Sequence, residues 1–199
     1  MKDLLSSRGV SIFCACCGII GVLMLIVSFS INPGPPEHAS FEQLQAFGHQ
    51  YYRSILWGAW LQAVGPFLIV VFAIGLVSLG GAGSNLSGMM TIFGAGVLMT
   101  VSLIEVSFYI AVLFNNPPVT SMIGLNVIYS VQHLYFIIGA PALFFPLGLV
   151  ILTSGVLPRI FGWLAIFLGI SFSVLGILFL FQLVLPMAVT ALAGTQVFW

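Results

Sequence analysis

Five long apolar runs, separated by short segments rich in proline, glycine and asparagine, constrain this chain more than any other feature. They cover roughly residues 10–31, 54–80, 88–114, 125–153 and 161–185. Each reaches the ~20 residues that a helix needs to cross a hydrocarbon core of about 30 Å. The breaks carry turn chemistry: Asn32-Pro33-Gly34-Pro35-Pro36, Gly80-Gly81-Ala82-Gly83-Ser84-Asn85, Asn115-Asn116-Pro117-Pro118, and Ser154-Gly155 with Pro158. A membrane barrel would instead show alternating segments of about ten residues. In lipid every backbone polar group needs an internal partner, so continuous apolar runs of this length are read as helices.

Charge supports the same reading. Only 4% of residues are charged, against about 25% in soluble domains. Such a supply cannot coat a water-facing surface, so the lipid bilayer is the expected solvent and first partner. Net charge is zero, and no basic patch exists to neutralise phosphates, which argues against nucleic acid. The expected fold class is all-α: a polytopic transmembrane helix bundle of five spans forming one domain over residues 1–199. The apolar tail 186–199 is too short to span. It reads as an interfacial helix, a re-entrant piece or the start of a sixth span.

Orientation follows from lysine and arginine in the loops. With the N-terminus cytoplasmic, Lys2, Arg8 and Arg159 fall inside and only Arg53 outside. The outer loop 32–53 then holds Glu37, His38, Glu42 and His49. Within it Ser40-Phe41-Glu42-Gln43 has the form of a capping box opening a short helix to about His49. Trp57 and Trp60 suit the outer aromatic belt. The first span has a positive flank and a small-x-small triplet at Ser28-Phe29-Ser30, like a secretory signal. Its apolar stretch of about 20 residues exceeds the usual 7–15, so it is expected to be retained.

Glu105 lies deep inside the third run. A carboxylate there is costly, and ionisable groups in membrane spans face a bundle interior or a wet cavity. At 1.5 Å per residue, Glu105 lies about 13 Å from the outer end of its span. His133 and Gln62 each lie about 12 Å deep in spans four and two. Short connections make these spans neighbours. Ser102 and Tyr109 share the helix face of Glu105, and Tyr129 shares that of His133. Gln132 adjoins His133, about 100° round the helix. The expected site is therefore an outer-half polar cluster of Gln62, Glu105, Tyr109, Tyr129 and His133. A carboxylate and an imidazole at one depth can hold one shared proton, as a relay or a cation-binding site does. Against this stands simple packing: interhelical hydrogen bonds average about 0.6 kcal/mol in membranes and serve as modest glue.

Other features are weaker. Pro66, Pro141 and Pro146 remove backbone donors and free the carbonyls of Gln62, Ile137 and Ala142, which then need other partners. Cys16 and Cys17 lack the helical spacing of a shared metal site, and no nearby His or acid completes one, so Cys14, Cys16 and Cys17 read as small packing residues. A bis-histidine haem needs two histidines within the spans, and only His133 qualifies. A metal held by His133, Glu105 and His49 would require His49 to dip inward. The sequence therefore assigns no cofactor and no metal site. No Ser-His-Asp order, phosphate-binding glycine loop or paired carboxylates point to catalysis. Gly94, Gly96, Gly162, Gly169 and Gly176 are expected at close helix contacts. Gly75-Leu76-Val77 recurs as Gly148-Leu149-Val150, and Ile92-Phe93-Gly94 as Ile160-Phe161-Gly162, a weak hint of parallel repeats of the kind transporters use.

The stretch Ser154-Gly155-Val156-Leu157-Pro158-Arg159-Ile160-Phe161-Gly162-Trp163 resembles an inter-helix loop in several uncharacterised bacterial multi-pass membrane families. The likeness covers about 40 residues of spans four and five. It implies a bacterial inner membrane and, since those families often have six spans, leaves the tail after Pro186 as the departure. It implies no mechanism. Two functional readings stand open: a module that binds or translocates a proton or small molecule at Glu105 and His133, and a structural or assembly subunit working with a membrane partner or a second copy. A membrane-embedded enzyme or metal or haem binder comes third.

Overall fold

A computed structural model of the chain describes residues 7–32, 40–114, 124, 127–128, 130–181, 183, 191–192, 194–196 and 199. These residues are overwhelmingly helical, and no strand occurs among them. The helices are α1 (Ser7–Ile31), α2 (Phe41–Gln50), α3 (Tyr52–Leu79), α4 (Leu86–Phe114), α5 (Ser130–Ser154) and α6 (Arg159–Leu180). All but α2 are long and apolar enough to cross a membrane. α1 packs on α3, α3 on α4, α4 on α5 and α5 on α6, so consecutive spans are neighbours. One end of the bundle carries His49 and Arg53; the other carries Arg159.

The helix boundaries follow local chemistry. Ser40 caps α2: its hydroxyl oxygen accepts the Gln43 N–H at 3.3 Å, and the Gln43 side chain accepts the Ser40 N–H at 2.8 Å. This reciprocal pair satisfies two donors that a helix start leaves orphaned. At the other end of the bundle, the Ser-Gly-x-Leu-Pro-Arg turn has a direct physical account. Gly155 adopts φ +67, a left-handed cap that a side chain would strain, and its N–H bonds to Ile151 O at 3.0 Å. Ser154 Oγ accepts the Val156 N–H at 3.3 Å. Pro158 then sets the start of α6, its carbonyl accepting from Phe161 at 3.0 Å.

Lipid tails are as apolar as leucine, so close packing rather than hydrophobic burial holds such helices together. Gly148 and Gly162 face each other across α5 and α6: a Cβ on Gly148 would stand 2.7 Å from the Gly162 carbonyl oxygen. Gly21 and Gly65 repeat the arrangement between α1 and α3. Of the glycines expected at contacts, Gly94, Gly162, Gly169 and Gly176 all meet a neighbouring helix, whereas Gly96 faces open space. Around these crossings Ala73 and Leu76 of α3, Ala95 and Leu98 of α4, and Leu143, Leu147 and Ile151 of α5 form one core. A second core joins Ala140 and Phe144 of α5 to Ala165, Leu168, Phe172 and Leu175 of α6. The outward faces are large and apolar throughout, from Ile12 and Phe13 on α1 to Ile170 and Ile177 on α6, as a lipid contact requires. Trp57 and Trp60 are both exposed near the Arg53 end, edge to face at 6.0 Å between centroids.

The described part of the tail turns back onto the bundle. Leu192 is buried in the α5–α6 core. The Trp199 ring meets Phe72 and Phe144, and its indole N–H donates to Phe161 O at 2.8 Å. These contacts extend to Phe161, the third residue of α6, near its Arg159 end.

Candidate functional site

The proline-freed carbonyls explain part of the polar interior. Pro66 cannot donate to Gln62 O. Ser102 on α4 supplies the missing donor, its hydroxyl bonding Gln62 O at 3.0 Å in a buried setting. The carbonyl of Ala142, freed by Pro146, lies against Gly94 of α4; a Cβ on Gly94 would overlap that oxygen. Both prolines thus sit where α4 approaches closely, and α4 is tied to its two neighbours at those levels.

One turn beyond Ser102 comes Glu105. Gln62 and Glu105 are 7% and 9% exposed, so both count as interior side chains in a chain with almost no charge to spare. The Gln132 amide of α5 donates to Glu105 Oε1 at 2.9 Å. The Gln62 side chain of α3 also lies beside the carboxylate. Three successive spans therefore converge on a single carboxylate. Tyr135 of α5, partly buried, lies within electrostatic reach of Glu105, and its hydroxyl donates to Gln196 Oε1 of the tail at 2.8 Å.

The structure brings together Gln62 and Glu105 of the residues expected from sequence. It gives the direct α5 contact to Gln132, where the reading from sequence pairs Glu105 with His133. The His133 ring stands edge to face on Phe179 of α6, with centroids 5.0 Å apart. Tyr109 is half-buried, one turn further along α4 from Glu105, and makes interactions of its own. Tyr129 lies outside the described residues. Gln132, Tyr135 and Gln196 are additions to the expected cluster. Tyr135 follows Gln132 by three residues, one helical turn, and that spacing is a usable signal. Nothing in the sequence marks Gln196.

Among the described residues no buried side-chain nitrogen or oxygen lacks a hydrogen-bond partner. No group of three His, Cys, Asp or Glu side chains gathers among them to hold a metal. Cys14 and Cys17 are buried in α1 and Cys16 is exposed; all three are free thiols. In chemical terms the centre is a carboxylate held by the Gln132 amide, with the Gln62 amide and a phenol nearby. It can bind and release a proton, or accept a hydrogen-bond donor or cation in place of one amide.

Fold and site together define a multi-pass helical membrane protein with a polar centre inside the bundle. Comparison with protein-family models, with curated proteins and with solved structures gives no match.

Proposed function

We propose that this chain is an integral protein of a bacterial inner membrane, N-terminus cytoplasmic, whose Glu105 centre binds or translocates a proton or small molecule taken from the outer side. One observation carries the reading: two amides from two different spans converge on a buried carboxylate, in a chain with four acidic residues in all. Ionisable groups at such depth concentrate in relays and binding sites because their desolvation is costly without a return in function. The positive-inside balance puts α2, His49 and Arg53 at the outer mouth above this centre.

A second reading rests on its own observation. Every buried polar side chain described has a partner, as a purely structural knot between α3, α4 and α5 requires. In that case the chain is a structural or assembly subunit of a larger membrane complex, and its broad apolar faces meet other proteins or copies of itself.

Proteoliposomes loaded with a pH-sensitive dye separate the two. The site reading expects proton flux that falls at least tenfold in Glu105→Gln while the protein stays folded. Flux equal in the wild type and in Glu105→Gln combined with Gln132→Ala would assign the cluster to packing.

A further inference from the structure

α5 is not uniformly α-helical. Residues Tyr135–Gly139 form a π-turn, and the Ala140 N–H bonds to Tyr135 O, five residues back. Pro141 follows at once. In an uninterrupted α-helix its ring would press on the Ile137 carbonyl, and the wider π-turn relieves that clash. A π-turn accommodates one residue more than the α-helical path it replaces, and such turns often mark functional sites. Counted back from Ala140, every residue before the turn stands one place away from its α-helical register. Gln132 therefore occupies the position that an unbroken α-helix would give to His133, and that position is the one opposite Glu105.

We infer that the Ser130–Leu134 part of α5 has two registers, and that Glu105 exchanges the Gln132 amide for the His133 imidazole when the π-turn converts to α-helix. The conversion turns this segment by about 100° and moves it about 1.5 Å along its axis. It carries His133 away from the Phe179 ring and onto the carboxylate. The two partners differ in one respect that matters. The amide is a neutral donor at every pH, whereas imidazole becomes a cation with two donors when it takes up a proton. A proton on His133 then favours the α-helical register, and its loss returns the π-turn that Pro141 prefers.

The inference rests on the reading of the Glu105 centre as a working site, and it names the proton as the species that site handles. The groups around the exchange are few. α3 contributes the Gln62 amide. α4 contributes Glu105 and, one turn on, Tyr109. α5 contributes Tyr135. α6 contributes Phe179, and its one charged residue, Arg159, lies at the far end.

The test is solid-state NMR on the full chain in lipid bilayers, with dipolar couplings measured from a ¹³C-labelled Glu105 carboxyl to ¹⁵N in the Gln132 or His133 side chain. The wild type should show the Gln132 coupling at neutral pH, then lose it as a His133 coupling appears on acidification. Pro141→Ala removes the clash and should raise the His133 coupling several-fold at neutral pH. Deletion of Ile138, which is exposed, removes the extra residue and locks Gln132 opposite Glu105. That variant should keep the Gln132 coupling at every pH and never show His133. A Gln132 coupling that persists from neutral to acidic pH in the wild type and in Pro141→Ala, without His133, overturns the switch, whether or not the deletion variant folds. Glu105-dependent flux with a fixed Gln132 partner would keep the working site and discard the switch. Exchange of the two couplings without flux would keep the switch and discard transport.

Discussion

Removal of the Ser102 hydroxyl should destabilise the bundle only while Pro66 is present. Ser102 Oγ reaches Gln62 O at 3.0 Å, both residues are buried, and that carbonyl lacks its helical donor because Pro66 has no N–H. Ser102→Ala leaves the carbonyl without a donor in a dry interior. Interhelical hydrogen bonds of this kind average about 0.6 kcal/mol in membranes and reach about 1.7 kcal/mol, so the loss should fall in that range. In a Pro66→Ala background the introduced alanine supplies a backbone N–H to the same carbonyl, and Ser102→Ala should then cost close to nothing. The coupling energy of the double-mutant cycle is therefore expected at about 0.6–1.7 kcal/mol. Steric-trap unfolding in bicelles measures it. Equal losses in both backgrounds would refute the claim that Ser102 serves the carbonyl that proline leaves open.

Glu105→Leu should destabilise more than Glu105→Gln in the same assay, by about 0.6 kcal/mol for the stranded Gln132 amide, since glutamine keeps an acceptor for it; equal losses would contradict the observed bonding. Gly148→Leu forces α5 and α6 apart at the Gly162 carbonyl and should cost about 1–3 kcal/mol, whereas the same change at Gly96, which faces open space, should be near neutral. At α2 the Glu42 carboxyl is held below its usual range by its own backbone N–H and by the Ser40 hydroxyl, which donates to it at 2.8 Å. A depressed folded value means that this contribution is complete above the ordinary value of 4.5 and is lost as pH falls through the folded one. Protection of the first-turn amides of α2, taken as intrinsic over observed exchange rate, should therefore fall below about pH 4.5 in the wild type and be low at all pH values in Ser40→Ala.

The parts of this architecture that are legible from sequence are those written in local composition. Long apolar runs and Pro/Gly breaks give the helices, because lipid demands internally bonded backbone. Ser40 and Gln43 give the α2 cap because both partners lie within one turn. The shared depth of Gln62 and Glu105 is readable because the rise per residue is constant along a regular helix. Depth alone does not separate His133 from Gln132, which differ by one step of about 1.5 Å. Which of them faces Glu105 depends on rotation about the α5 axis, and the π-turn at Tyr135–Gly139 changes that rotation by one residue with no single residue type to announce it. In sequence Pro141 reads as the residue that frees the Ile137 carbonyl; the structure adds the widened turn before it. The tail contacts of Gln196 and Trp199 join residues far apart in the chain, and no periodicity carries such information. Gly96 fits the small-residue pattern of a helix contact as well as Gly94 does, and only the direction each one faces separates them.

Isotope-edited infrared spectroscopy of the Glu105 carboxyl in sealed proteoliposomes tests the central claim most directly. The band is assigned by its loss in Glu105→Gln, and the external pH is stepped while the lumen is buffered. A working site on the outer side predicts that the carboxyl band responds to the external step and exchanges with external deuterium. A band that stays unchanged by external pH and by deuterium, in protein shown to be folded and inserted with the Arg53 end outward, would contradict the account and leave Glu105 as a sealed packing contact.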